Sequence, residues 1–118
     1  MNLRRGVSLS YVGARDQEAI RDFKSRLQQR LGDRLLAVKV FGSKVAGRAT
    51  RASDIDLLVL VKRHSDRLED QVIDIAFDVN VAHGVYISPR VIAAATFRHP
   101  VWKHTPFLKH VSRASVRI

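Results

Sequence analysis

The feature that most constrains the fold of this chain is an apolar run, Leu57-Leu58-Val59-Leu60-Val61, placed directly after Asp54-Ile55-Asp56. Successive side chains of a strand point to opposite faces, so an apolar run without polar alternation is typical of a strand buried on both faces. The run falls far short of the about 20 apolar residues that a membrane span needs. It therefore predicts a central β-strand over residues 54–61 that begins with two carboxylates.

Periodic patterns on both sides of this strand predict two amphipathic helices. Apolar residues recur at three- and four-residue steps over residues 16–31, with Asp16 as the N-cap and Gly32 just beyond the end. A second helix is predicted over residues 64–83, and its apolar stripe consists of Leu68, Val72, Ile75, Ala76 and Val79, widened by Ile73 and Phe77. Its solvated face is predicted to carry Asp70, Asp74 and Asp78, although their four-residue spacing along one helix face would also allow them to be recruited to a site as a further carboxylate.

Shorter elements are predicted between and before these helices. Residues 35–41 form a strand that Gly42 closes, and residues 43–49 form one or two helical turns. Residues 1–14 have no clear period, which leaves open a loose arm or an edge strand.

The C-terminal third supplies the remaining elements. Residues 85–95 contain a third strand, bent or bulged at Ser88-Pro89 because proline cannot donate to a central ladder. Residues 106–111 form a short helix with Pro106 in its first turn, and residues 116–118 form an edge strand. The order of elements predicts one domain over residues 1–118, of the α/β (α+β) class, with a small mixed β-sheet flanked by helices.

Composition limits the functional classes. The chain carries 21 Lys and Arg against 11 Asp and Glu, a formal charge of +10, which favours an anionic partner such as nucleic acid, nucleotide or an acidic protein surface. A general role of this charge in solubility explains it equally well. The absence of cysteine excludes disulfides, thiolate metal sites and cysteine nucleophiles. Without a signal-peptide pattern or a membrane span, we expect a soluble, cytoplasmic protein.

Asp54 and Asp56 are the strongest candidates for a metal site. Residues two apart on a strand point to the same face, so the two carboxylates are expected to project together and to repel each other without a cation. Mg²⁺ takes oxygen ligands and typically binds one or two carboxylates together with substrate phosphates. The pair therefore predicts a Mg²⁺ or Mn²⁺ site.

Gly42 and Ser43 predict the complementary phosphate site. Glycine at a strand end lets the backbone turn tightly and approach a ligand closely. If Ser43 opens a helical turn, its hydroxyl and the first N–H groups form an anion site. Lys44, with Arg48 and Arg51 in the connecting arm, is placed to reach the same phosphates, although we expect no single one of these cations to be essential.

The candidate residues form one motif: Gly-Ser, ten further residues and Asp-x-Asp, with Gly47 in the connecting arm and Ser53-Asp54-Ile55-Asp56-Leu57 at its end. This motif resembles the signature of the nucleotidyltransferase superfamily related to DNA polymerase beta. The short chain resembles the minimal nucleotidyltransferases of bacteria and archaea. The resemblance implies the nucleotidyltransferase fold, phosphate binding at Gly42 and Ser43, and catalytic metal binding at Asp54 and Asp56. It also implies transfer of a nucleoside monophosphate, with AMP from ATP expected, to a hydroxyl of a protein or RNA partner.

One part of the superfamily pattern is missing. Catalytic members usually carry a third carboxylate on a later strand, whereas residues 85–92 have no acid and no Asp or Glu follows Asp78. Two further hypotheses therefore stay open beside the active enzyme. The first is a weakly catalytic antitoxin or binding module paired with a helical partner of the HEPN type, which the resemblance suggests. The second is a basic RNA-binding domain, which rests on charge alone.

Overall fold

A four-stranded sheet, in the order β3-β2-β1-β4, organises the computed structural model, which describes residues 6–50 and 52–118. The strands are β1 (Leu35–Phe41), β2 (Ile55–Val61), β3 (Ile87–Ala93) and β4 (Ser115–Arg117). β1 is antiparallel to β2 and to β4, whereas β2 and β3 are parallel. The mixed sheet and the central position of β2 are confirmed.

Helices cover both faces of this sheet. They are α1 (Ala14–Leu31), α2 (Ser43–Ala46), α3 (Asp66–His83), α4 (Ala94–Arg98) and α5 (Pro106–Arg113), and 3-10 turns occupy Leu9–Tyr11, Gly32–Arg34 and Trp102–His104. α1 and α3 share the main core with Ile55, Leu57 and Val59 of β2. On the opposite face Leu58 packs with Phe41 and with Val111 of α5. The alternation along β2 therefore separates the two layers, as the doubly apolar run predicts.

α1 begins earlier than the sequence pattern indicates. Gly13 is the N-cap, and Gln17 N donates to Gly13 O at 2.9 Å, so the prediction that Asp16 caps the helix is wrong. Asp16 lies instead in the first turn, where the positive end of the helix dipole favours a carboxylate. The end is as predicted, because Gly32 has φ 57° and its N–H donates to Gln28 O.

α3 begins at Asp66 because the Ser65 side chain accepts a hydrogen bond from Leu68 N, two residues later than the predicted start at His64. The prediction that Ile73 and Phe77 widen its buried stripe is wrong, since they are 49% and 66% exposed. The sheet and α1 cover only the face that contains the other five apolar residues. The solvent exposure of Asp70, Asp74 and Asp78 is confirmed.

β3 is regular through Pro89. Its register with β2 runs without a shift from Ile55 opposite Ile87 to Val61 opposite Ala93, so the predicted bulge at Ser88-Pro89 is wrong. β3 is an edge strand, and an edge tolerates a proline because one side of the strand has no ladder to complete. The third strand itself is confirmed, and α5 with Pro106 in its first turn is confirmed as well.

The described part of the N-terminal segment is neither a loose arm nor a strand. Ser8 N donates to Val45 O at 2.9 Å, and Val12 is 3% exposed within the main core. The segment is thereby packed against α2. Residues 1–5 of the predicted arm lie outside the described residues.

No helix in residues 6–50 and 52–118 has the length and apolar character needed to cross a bilayer.

Candidate active site

Gly42 ends β1 and forms the turn into α2. Its backbone has φ 83° and ψ −161°, a region essentially restricted to glycine. Phe41 is the register partner of Asp56, so the turn lies beside the start of β2. A Cβ at residue 42 would overlap Asp56 Oδ2 and approach Asp56 Cγ to 3.2 Å. The predicted phosphate turn and the second predicted carboxylate are therefore packed directly against each other.

Ser43 is the first residue of α2. This helix has a single turn, where the sequence predicts one or two. Ala46 N donates to Gly42 O at 3.2 Å, and Gly47, with φ 76°, ends the turn. The first N–H groups of any helix lack a partner within the helix. The geometry thus places a hydroxyl and backbone donors immediately after Gly42, as the phosphate-site prediction requires.

Asp54 and Asp56 lie at the start of β2, although the strand begins at Ile55 rather than at Asp54. Asp54 is exposed and Asp56 is half-buried. Burial, and then the negative charge of Asp54, raise the pKa of Asp56, while the positive charge of Arg90 opposes the rise. The two carboxylates therefore repel each other, and a bound cation would offset this repulsion.

Ser88 and Arg90 occupy the strand next to the carboxylates. Ser88 is the register partner of Asp56, and Arg90 is the partner of Leu58. Within the described residues there is no group of three or more His, Cys, Asp or Glu side chains arranged to hold a metal. The third carboxylate is thus absent from the position beside Asp56, and a hydroxyl and a guanidinium lie there. The sequence predicted that the carboxylate is missing, but it could not identify the residues beside Asp56, because the register of β3 was not known.

Lys44, predicted to bind phosphate, is 7% exposed. Its Nζ lies 2.8 Å from Asp16 Oδ2 and donates to Thr50 O at 3.2 Å. These contacts tie α2 to α1 and to the connecting arm, so a phosphate would have to compete with Asp16 for the ammonium. The phosphate role of Lys44 stays a prediction. No local pattern could have identified Asp16 as its partner, because the two residues are distant in sequence.

The connecting arm is held just before Asp54. Thr50 N donates to Ser53 Oγ at 2.9 Å, and Ser53 N donates to Thr50 O at 3.1 Å. These two reciprocal hydrogen bonds fix the backbone immediately before Asp54. Arg48 is exposed, and Arg51 lies outside the described residues.

A cleft of about 500 Å³ lies near this arm and is lined by, among others, Tyr11, Arg15, Asp16, Lys44, Ser53 and Tyr86. Gly42, Ser43, Asp54 and Asp56 are not part of its lining. The cleft includes Ile55, whose side chain faces the α1–α3 layer, away from Asp56. The cleft therefore lies on the other side of β2 from the Asp56 side chain.

The donor set at Asp54 and Asp56 fits one hard divalent cation. The two side chains offer only oxygen ligands, and Mg²⁺ commonly combines one or two carboxylates with waters and substrate phosphates. Burial, and then the negative charge of Asp54, raise the pKa of Asp56, and a cation bound beside the two carboxylates would oppose this rise.

Comparison with known proteins shows the family of this chain. Residues 20–108 match the family described as "Nucleotidyltransferase domain". MJ0141 of Methanocaldococcus jannaschii, which is named provisionally as a protein adenylyltransferase, is 32% identical over 102 residues, covering 86% of this chain and 96% of that protein. MJ1305 of the same organism, named in the same way, is 34% identical over 74 residues and covers 60% of this chain. This chain spans only 50% of MJ1305.

A solved structure shares the fold as well. Spectinomycin adenyltransferase AAD(9) from Enterococcus faecialis, crystallised with ATP and spectinomycin, superposes with a TM-score of 0.57 at 25% identity. The match covers 76% of this chain and 38% of that enzyme. The family match includes the Gly42-Ser43 turn and both aspartates, and it confirms the predicted minimal nucleotidyltransferase. The chain belongs to the nucleotidyltransferase domain family.

Proposed function

We propose that residues 1–118 form one domain that transfers AMP from ATP to a hydroxyl group of a partner, with Mg²⁺ or Mn²⁺ held by Asp54 and Asp56. The observation that carries the proposal is the packing of Asp56 against Gly42, which brings the predicted metal-binding pair next to the predicted phosphate turn. The names of MJ0141 and MJ1305 favour a protein acceptor over RNA. ATP in the AAD(9) crystal favours ATP as the donor.

The transfer itself requires one bond to form and one to break. The acceptor oxygen attacks the α-phosphorus of ATP, the bond to the β-phosphate oxygen breaks, and pyrophosphate leaves while the hydroxyl proton passes to solvent. Asp54 and Asp56 would hold a Mg²⁺ ion, which would supply positive charge to the polyphosphate. Gly42 lets the backbone approach the phosphates closely. Ser43 donates to a phosphate oxygen from the start of α2.

Protonation of Asp56 should limit the reaction at acidic pH. The pKa of Asp56 is raised, so this carboxylate loses its negative charge at a higher pH than an ordinary aspartate does. Metal binding requires the charged form. Apparent Mg²⁺ affinity is therefore expected to fall as pH decreases through this raised pKa.

The test is transfer of label from α-³²P-ATP to the partner that co-purifies with the full chain, with and without Mg²⁺. Asp54→Asn combined with Asp56→Asn should abolish labelling, because the metal loses both carboxylates. Asp74→Asn, at an exposed position on α3, is the control for one lost charge and should leave labelling unchanged. Persistent labelling by the double variant would refute the proposal.

A binding module with weak turnover is the second candidate, and the observation that favours it is Ser88 beside Asp56 in place of a carboxylate. It predicts Mg²⁺-dependent ATP binding by calorimetry without label transfer to any co-purified protein. Loss of that binding in the Asp54→Asn, Asp56→Asn variant would assign the same site to both candidates. A HEPN-type helical partner stays a prediction for either case.

A further inference from the structure

The register of three strands aligns two cations in one row beside the metal pair. Lys39 of β1 is the partner of Leu58, and Leu58 is the partner of Arg90 on β3. The neighbouring row contains Phe41, Asp56 and Ser88 in the same strand order. Residues two apart on one strand share a face, and register partners do so across strands. Lys39 and Arg90 thus flank Leu58 on the face that carries Asp56.

Aromatic rings, rather than carboxylates, contact both cations. Lys39 Nζ lies 5.1 Å from the centroid of the Phe97 ring, and Arg90 Cζ lies 4.7 Å from that of Phe107. Phe107 in turn packs edge-on against Phe41, with centroids 5.5 Å apart. In the part of the chain that the structure describes, neither cation belongs to an ion pair with Asp or Glu within 4.0 Å. Aromatic contacts therefore hold both charges in place, and no direct ion pair among the described residues occupies them.

The charge balance of the site requires such cations. The two positive charges of one Mg²⁺ offset the two carboxylates and leave the negative charge of a triphosphate uncompensated. Fixed cations near transferring phosphates stabilise such charge. Arg90 is exposed, and a guanidinium can bind phosphate oxygens through two parallel N–H donors.

We propose that Arg90, assisted by Lys39, binds the polyphosphate of ATP on the side of the site where Ser88 replaces a third carboxylate. The inference rests on the proposed function and deepens it. Arg90 forms no covalent bond. It contacts the β- and γ-phosphates and stabilises pyrophosphate as that group leaves, whereas Lys39 adds charge from the other side of Leu58.

The experiment is calorimetric titration of the folded chain with Mg²⁺-ATP and with Mg²⁺-pyrophosphate. Arg90→Gln should weaken both by about tenfold to a hundredfold, the range expected for losing hydrogen bonds to a charged group. Arg90→Lys keeps the positive charge but not the two parallel N–H donors of the guanidinium, and it should give a smaller loss of affinity. Lys39→Gln should weaken binding of both ligands by about twofold to fivefold, as the loss of a less direct charge would.

Arg63→Gln is the matched control, because Arg63 is exposed and lies beyond the opposite end of β2 from Asp56. Suppose that Arg90→Gln binds both ligands within twofold of this control, while the Asp54→Asn, Asp56→Asn variant has lost binding. That result would overturn the inference about Arg90 and leave the proposed function standing. If the unsubstituted chain binds neither ligand, the proposed function and the inference both fall. Circular dichroism of each variant verifies that the fold is retained.

Discussion

Gly42 meets two demands that no other residue type meets together. Its φ of 83° and ψ of −161° lie where a side chain clashes with its own backbone, and Asp56 occupies the space that a Cβ would need. Gly84 meets neither demand in full: its φ of 66° and ψ of 41° are in the left-handed helical region, which other residues adopt at a smaller cost, and no atom lies within 4 Å of its ideal Cβ. Gly84 is therefore the milder position in both backbone strain and contact.

Gly42→Ala is expected to lower the free energy of unfolding by more than about 3 kcal/mol, because strain and displacement of Asp56 act together. Gly84→Ala should cost about 1–2 kcal/mol, the strain of a left-handed residue alone. Urea unfolding of both variants measures the difference. Equal losses would contradict the expected extra cost of backbone strain and Asp56 displacement at residue 42.

Asp56 should destabilise the ligand-free protein, and its replacement should stabilise it. The folded pKa is raised above the unfolded value, so the ionised carboxylate disfavours folding at neutral pH, and this penalty disappears as pH falls through the folded pKa. Asp56→Asn should therefore raise Tm at pH 7 and give little change below about pH 4. Asp33→Asn, at a side chain that is 92% exposed, is the control and should not raise Tm. A lower Tm for Asp56→Asn at pH 7 would contradict this account.

At the scale of elements, Asp22 joins α1 to α3. Its carboxylate accepts hydrogen bonds from Arg26 Nε at 3.0 Å within α1, and pairs at 2.8 Å with His83 Nε2 at the end of α3. The hydrogen bonds from Arg26, and then that from His83, lower the pKa of Asp22. Asp22 therefore links the two helices at one end, in addition to the apolar core that they share.

Asp22→Asn is expected to lower the free energy of unfolding at pH 7 by about 1 kcal/mol, a modest value because the pair is partly exposed. A depressed folded pKa gives stability that is present above the unfolded value near 3.8 and is lost as pH falls through the folded pKa. The variant and the parent should thus converge in acid denaturation. Asp33→Asn is the control, since Asp33 is 92% exposed and 3.7 Å from Lys62, and it should change little.

The sequence predicted those elements whose ends carry a local signal, such as Gly32 after α1 and Pro106 at the start of α5. It could not decide which apolar residues of α3 are covered, because periodicity gives a face and not the width that neighbours bury. It likewise could not place Pro89 on an edge before the strand order was known.

The candidate site shows the same division. Gly42, Ser43, Asp54 and Asp56 lie close along the chain and could be predicted from their spacing. Arg90 and the Lys44–Asp16 pair depend on tertiary structure and could not.

At the scale of the whole molecule, charge is divided between the two faces of the sheet. α3, on the face opposite Asp56, contains five of the chain's 11 acidic residues: Asp66, Glu69, Asp70, Asp74 and Asp78. No acid follows Asp78, whereas six Lys and Arg residues do. Arg117, Lys39 and Arg90 lie in one row on the Asp56 face. An anionic ligand is therefore attracted to the Asp56 face and repelled by α3.

This distribution predicts that the association rate of Mg²⁺-ATP falls by about tenfold between low and high salt, while its dissociation rate changes much less. Stopped-flow measurements across ionic strength test both rates. Uncharged adenosine is the control ligand, and its association should not depend on salt. An association rate for Mg²⁺-ATP that is independent of salt would exclude long-range attraction.

The two outer strands of the sheet have a consequence for how copies of this protein behave at high concentration. Exposed strand edges are templates for pairing with another chain, and proteins suppress such pairing with proline, with charged side chains or with very short edge strands. β3 carries Pro89 and the exposed Arg90, and β4 is three residues long. Both edges are thereby poor templates, so this small sheet resists growth into aggregates of stacked strands.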